Sequence, residues 1–146
     1  MASVILNEFK RASAAGETDL NADDIRVRLV MGNTTCDTEN DGIVNIADYA
    51  TVDVCDGANY VDKALANEAV NKDDANDRAE FDADDVEWTA LGVGTRTSAG
   101  VLVYKYVDGT DANDLVIAYV EFSSAVTQDG TDFSITWNAE GILQLA

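Results

Sequence analysis

The chain has 146 residues, 47% of them hydrophobic, which gives one domain a sizeable core and excludes a disordered acidic tail. Its 28 acidic residues against 9 basic ones leave a formal charge of −19, which speaks against binding of nucleic-acid phosphates and against docking on anionic membranes. Histidine is absent, so Ser-His and Cys-His catalytic pairs and imidazole-ligated zinc are excluded as well.

In chain order, residues 1–16 read as an N-terminal helical segment. Ser3 is placed as its N-cap, Ile5, Leu6 and Phe9 form an apolar stripe, and Gly16 is a natural stop. The same start is no export signal, because Met1 to Leu6 is a short apolar stretch broken at once by Glu8, so synthesis in a cytoplasm is expected. Asp19 to Asp24 is a turn. Ile25 to Met31 alternates as a strand, with Ile25, Val27, Leu29 and Met31 inward and Arg26 and Arg28 outward. Residues 32–56 read as a polar surface loop region, with a helical turn at Ile46 to Ala50 and a short strand at Thr51 to Val54. Asn59 to Val70 has helical propensity but sits between strands. Arg78 to Phe81, Val86 to Leu91 and Val101 to Val107 are further strands, and Asp108 to Asp114 is a hairpin-type loop. Leu115 to Phe122 (LVIAYVEF), Phe133 to Trp137 (FSITW) and Gly141 to Ala146 complete the sheet, with Phe133, Ile135 and Trp137 on one face.

This order predicts one domain spanning 1–146, mainly β, an antiparallel β-sandwich or partly closed barrel with one N-terminal helix. The expected core is Ile25, Val27, Leu29, Phe81, Trp88, Ile117, Tyr119, Phe133, Ile135 and Trp137. Aromatic residues are expected in that core or at a subunit interface, and no aromatic-lined cleft is evident.

Two local patterns could carry chemistry. Asp37 to Asp48 reads DTENDGIVNIAD, in which Asp37, Glu39, Asp41 and Asp48 are spaced to offer hard oxygens to Ca²⁺ and Gly42 sits at the sharp turn. The same stretch also reads as an acidic turn that binds nothing. Asp82, Asp84 and Asp85 form a second cluster, read as a solvated turn or as caps for nearby backbone amides. Cys36 and Cys55 are the disulfide candidates: a bridge would stabilise by about 3 kcal/mol if the geometry allows, whereas cytoplasmic synthesis favours free thiols. No catalytic residue and no required cofactor is assigned, and the chain is expected not to be an enzyme.

Residues 76–90 (NDRAEFDADDVEWTA), 115–122 (LVIAYVEF) and 133–145 (FSITWNAEGILQL) together resemble a family of small tailed-bacteriophage proteins, and the early strand IRVRLVM is similar too. The loop DTENDGIVNIAD locally resembles a dockerin calcium loop, although dockerins carry two such loops and this chain has one. Residues 33–61 depart most from the phage pattern. The resemblance implies a virion-associated structural protein, with capsid decoration as the leading role. A neck or tail component, or a calcium-binding surface adhesion module, is the alternative. It implies contact with the major capsid protein or other virion proteins, a homo-oligomer, location in the virion, and no direct contact with nucleic acid or membrane. It supplies no catalytic residues.

Overall fold

The structure, a computed structural model, describes residues 3–146. In order the elements are β1 (Val4–Ile5), α1 (Asn7–Ala14), β2 (Ile25–Met31), a single 3-10 turn (Ile46–Asp48), β3 (Lys63–Ala64), β4 (Ala69–Asp73), β5 (Arg78–Asp82), β6 (Val86–Trp88), β7 (Ser98–Lys105), β8 (Leu115–Val126), β9 (Phe133–Ile135) and β10 (Leu143–Leu145). All strand pairs are antiparallel. The main sheet runs β1-β8-β7-β2-β3, a second runs β10-β5-β4, and β6 pairs with β9. The fold is thus mainly β with one α-helix, in open sandwich-like sheets rather than a closed barrel. Among the described residues no helix is long and apolar enough to cross a membrane.

Alternation explains β2. Ile25, Val27 and Leu29 are buried, while Arg26 and Arg28 lie on the other face. The centre of the sheet is different: from Ser98 to Tyr104 every residue of β7 is buried, so that strand reads as a continuous apolar run rather than an alternating one. Side chains from all three sheets, including Phe81, Trp88, Ile135 and Leu143, join one continuous core with β2, β7 and β8. Eight of the ten expected core residues are buried. Phe133 and Trp137 are only half-buried, packed against the core rather than within it.

The N-terminal helix starts later than its sequence suggests. Val4 and Ile5 pair with Tyr119 and Ala118 on β8, and Leu6 N donates to Ile117 O at 3.0 Å. Ser3 is no cap; its Oγ accepts from Glu121 N at 3.0 Å. Apolar residues that look like a helical stripe are therefore used as an edge strand, because pairing with a central strand satisfies their backbone groups. The helix that remains buries Phe9 and Ala12. Asn59 to Val70 forms no helix either: it is mostly irregular, with left-handed Asn59 and Asn67, and supplies β3 and the first two residues of β4.

One register slip shapes the surface. Ser98 on β7 faces Val126 on β8, but Gly100 faces Glu121. Phe122 to Ala125 therefore bulge out of the ladder. Gly100 fits this junction: a Cβ there would collide with the backbone carbonyl of Val120 on β8 and lie 2.7 Å from Tyr119 Oη and 2.8 Å from Cζ, so a side chain would have to displace backbone as well as the ring. The far end of the bulge is held by Gln128, which is buried and donates from Nε2 to Ser98 Oγ at 2.8 Å.

Candidate functional site

The sequence-predicted site lies in residues 32–56. That segment is not a polar loop with few anchors: Cys36, Ile43, Ile46, Tyr49 and Cys55 are all buried. Backbone bonds tie it to both neighbouring strands. Cys55 N donates to Leu29 O at 2.9 Å, and Val116 N donates to Val44 O at 3.0 Å. Its base is clamped by Glu39, whose Oε2 accepts from Thr35 Oγ1 at 2.8 Å and from Ala50 N at 3.0 Å.

Of the four candidate metal ligands, Glu39, Asp41 and Asp48 line one open acidic concavity; Asp37 does not. Gly42 makes the turn there with φ +79°. Asp48 Oδ2 accepts from Asn45 N at 2.8 Å and Val44 N at 2.9 Å, and these two donors hold its carboxyl below the usual range. Glu39 and Asp48 thus already serve backbone donors. Among the described residues, no three His, Cys, Asp or Glu side chains are gathered closely enough to hold a metal ion. In the second acidic cluster only Asp85 caps a backbone amide; Asp84 bonds a side-chain amide, and the buried Asp82 Oδ1 has no partner among the described residues. Asp85 Oδ1 accepts from Trp137 N at 3.0 Å, and Asp84 Oδ2 accepts from Asn67 Nδ2 at 2.6 Å.

The two disulfide candidates are free thiols, Cys36 fully buried and Cys55 4% exposed. Burial pushes the Cys36 thiol up to about 11, with Glu39 and Asp37 adding to the effect, and burial also raises Cys55. Burial raises the phenols of Tyr49, Tyr60, Tyr104 and Tyr119 in the same direction. For an acid whose folded pKa lies above its unfolded value, the folded state holds more protons between the two. Stability is then complete below the unfolded value and falls as pH rises through the folded one. Urea unfolding is therefore expected to show declining stability from about pH 9 upward, where unfolded thiols ionise near ~8.5 and phenols near ~10. Near neutral pH, maleimide should label both cysteines only at the rate of opening, and rapid labelling of native protein would contradict their burial.

Two further features emerge that sequence reading did not find. The first is a polar cluster beneath the segment that precedes β3. Asp62 Oδ2 accepts from Arg28 Nε at 2.9 Å and from Tyr104 Oη at 2.7 Å, while Oδ1 accepts from Tyr60 Oη at 2.7 Å. Burial opposes the charge on Arg28, but Asp62 and Asp111 outweigh it and raise its pKa. Arg28, expected to face outward, is therefore roofed over.

The second feature is a groove of about 650 Å³ where the β8 bulge, β9 and the turn into β10 meet. Phe122, Phe133 and Trp137 line it, so the expectation of no aromatic-lined cleft is overturned. The rings continue inward: Phe122 to Phe133 is 6.4 Å between centroids, and Phe133 to Trp88 is 5.9 Å. Trp137 is pinned at its polar edge, Nε1 donating to Asp84 O at 3.0 Å. The one signal in sequence was the alternation of FSITW, which places Phe133 and Trp137 on a common face but not at its margin.

Comparison with protein-family models, with curated proteins and with solved structures finds no match.

Proposed function

We propose that this chain is a non-enzymatic structural protein of a bacteriophage virion, a decoration (cement) protein that bridges neighbouring capsid subunits and stabilises the head. The observation that carries the reading is the resemblance of residues 76–90, 115–122 and 133–145 to small tailed-phage proteins. In the fold those segments contain β5, β6, β9, β10 and the first eight residues of β8, together with the turns between them. The acidic excess supports the reading: a charge of −19 keeps a high-copy exterior protein soluble and disfavours contact with packaged nucleic acid. Its partners on this reading are the major capsid protein, other virion proteins and further copies of itself. Interface energy would come from apolar and aromatic side chains, with carboxylates at the rim.

The test is a particle lacking this chain. Such particles are expected to fail at lower temperature and at low salt, where complete particles persist. Equal resistance overturns stabilisation. Imaging complete particles and counting copies separates the head from the alternative site: about a dozen copies or fewer, on a rotational axis, would place the chain in the neck or tail.

A further inference from the structure

We propose that the groove between the β8 bulge and β9 is a binding site for an uncharged oligosaccharide. The size is right for a small-ligand site, about 650 Å³ here against roughly 300–1,000 Å³ in general. Its chemistry is unlike the rest of the chain. A quarter of all residues are charged, yet Glu121 is the only charged residue among the sixteen that line the groove. With no Lys or Arg in the lining, nothing there recognises a phosphate, a sulfate or a uronic acid. One carboxylate is also a poor match for a polycation.

What the lining does offer is ring faces beside neutral hydrogen-bonding groups. Phe122, Phe133 and Trp137 are half-buried. The Trp137 indole N–H is already bonded to Asp84 O and its main chain to Asp85, so the ring is held without a ligand and has its π face to give. A pyranose ring matches that pairing, since its C–H face packs on an aromatic ring while its hydroxyls point to the rim. The rim carries Ser123, Ser124, Thr136 and Asn138. Among the described residues the three hydroxyls have no partner within the chain, and Asn138 uses only Oδ1, which accepts from Glu140 N at 3.0 Å. These groups both donate and accept, as sugar hydroxyls require. The bulge is what presents them: slipping four residues out of the β7 ladder exposes Ser123 and Ser124 beside the rings. The site does not depend on where on a particle the chain sits.

The experiment titrates isotope-labelled full chain with cellohexaose, maltohexaose and chitohexaose, and with hexagalacturonate as the charged comparator. At least one neutral sugar is expected to shift the Trp137 indole resonance saturably, and hexagalacturonate to bind at least about tenfold more weakly, equivalent to about 1.4 kcal/mol. Ser124→Arg, an exposed position, should abolish the shift with the fold intact by circular dichroism; Trp137→Ala, read on the Phe122, Phe133 and Thr136 resonances that also line the groove, should abolish the sugar response there. The proposal is overturned if no neutral sugar moves groove resonances at millimolar concentration. Shifts that survive Ser124→Arg, or equal binding of hexagalacturonate, overturn it too. Groove resonances that respond to protein concentration and not to sugar would instead make this an interface between copies of the chain.

Discussion

Replacing Trp88 with alanine is expected to lower the unfolding free energy by about 3–5 kcal/mol, the range for deleting a buried aromatic ring. Trp88 is fully buried although it lies on a strand of only three residues. It joins three parts of the fold. Its ring stacks on Tyr60 at 6.0 Å, tilts against Phe133 at 5.9 Å, and its Nε1 donates to Val61 O at 2.6 Å. The cavity left by alanine would be bordered by the segment before β3 and by β9, neither of which has an extensive ladder of its own. Trp88→Phe separates ring from hydrogen bond. It retains most of the buried area, drops the N–H, and should cost about 1–2 kcal/mol. Urea titrations at constant m would measure both. A loss below about 1.5 kcal/mol for Trp88→Ala would mean that the ring packs without supporting its neighbours. Because Phe133 is shared with the groove, Trp88→Ala should also disturb the Trp137 resonance.

The legible part of this fold was the part set by local alternation. Ile25, Val27 and Leu29 could be assigned to one face of β2 because a strand's period of two is written in consecutive residues. The LVIAYVEF segment and the DGTDAND loop before it were readable for the same reason. Trp88, Ile117, Tyr119 and Ile135 are buried as expected. What failed was partner choice. Val4 and Ile5 carry the same apolar residues whether they wind or extend, and only the presence of β8 decides the matter. Phe133 and Trp137 share a face, but the β8 bulge leaves that face partly uncovered, and a register slip leaves no local mark beyond Gly100. In residues 32–56 the acidic spacing was plain, whereas the buried Ile43, Ile46 and Tyr49 that anchor the segment are dispersed among polar residues. The Asp62 cluster was the least legible of all. Its members lie 34 residues apart for Arg28 and 42 for Tyr104, and nothing near Asp62 marks it out among 28 acidic side chains.

That cluster gives the second large effect. Asp62→Ala is expected to destabilise by about 3 kcal/mol, toward the lower end of what removing one partner from a buried ion pair costs. The Arg28 and Asp62 side chains are 12% and 19% exposed, so water reaches the pair only at its edge. Without Asp62 the guanidinium keeps only the more exposed Asp111, and the Tyr60 and Tyr104 hydroxyls lose their acceptor. Tyr60 Oη also accepts from Leu29 N at 2.7 Å, so the loss reaches the backbone of β2. Arg28→Met should cost less. It leaves a carboxylate that still accepts two phenolic hydrogen bonds, and the methionine keeps much of the packing of the arginine stem. The order of the two single variants is the diagnostic: three donors converge on Asp62, so its removal orphans more groups than removal of any one donor. Adding the second change to Asp62→Ala should then cost little, because the stranded cation is gone. A double-mutant cycle in urea is expected to give a coupling of about 1–3 kcal/mol. Strict additivity would mean that the cluster is a set of independent surface contacts. Strong coupling would identify Asp62 as the group that fixes the segment before β3 onto β2, and with it the carbonyl of Val61 that receives the Trp88 indole.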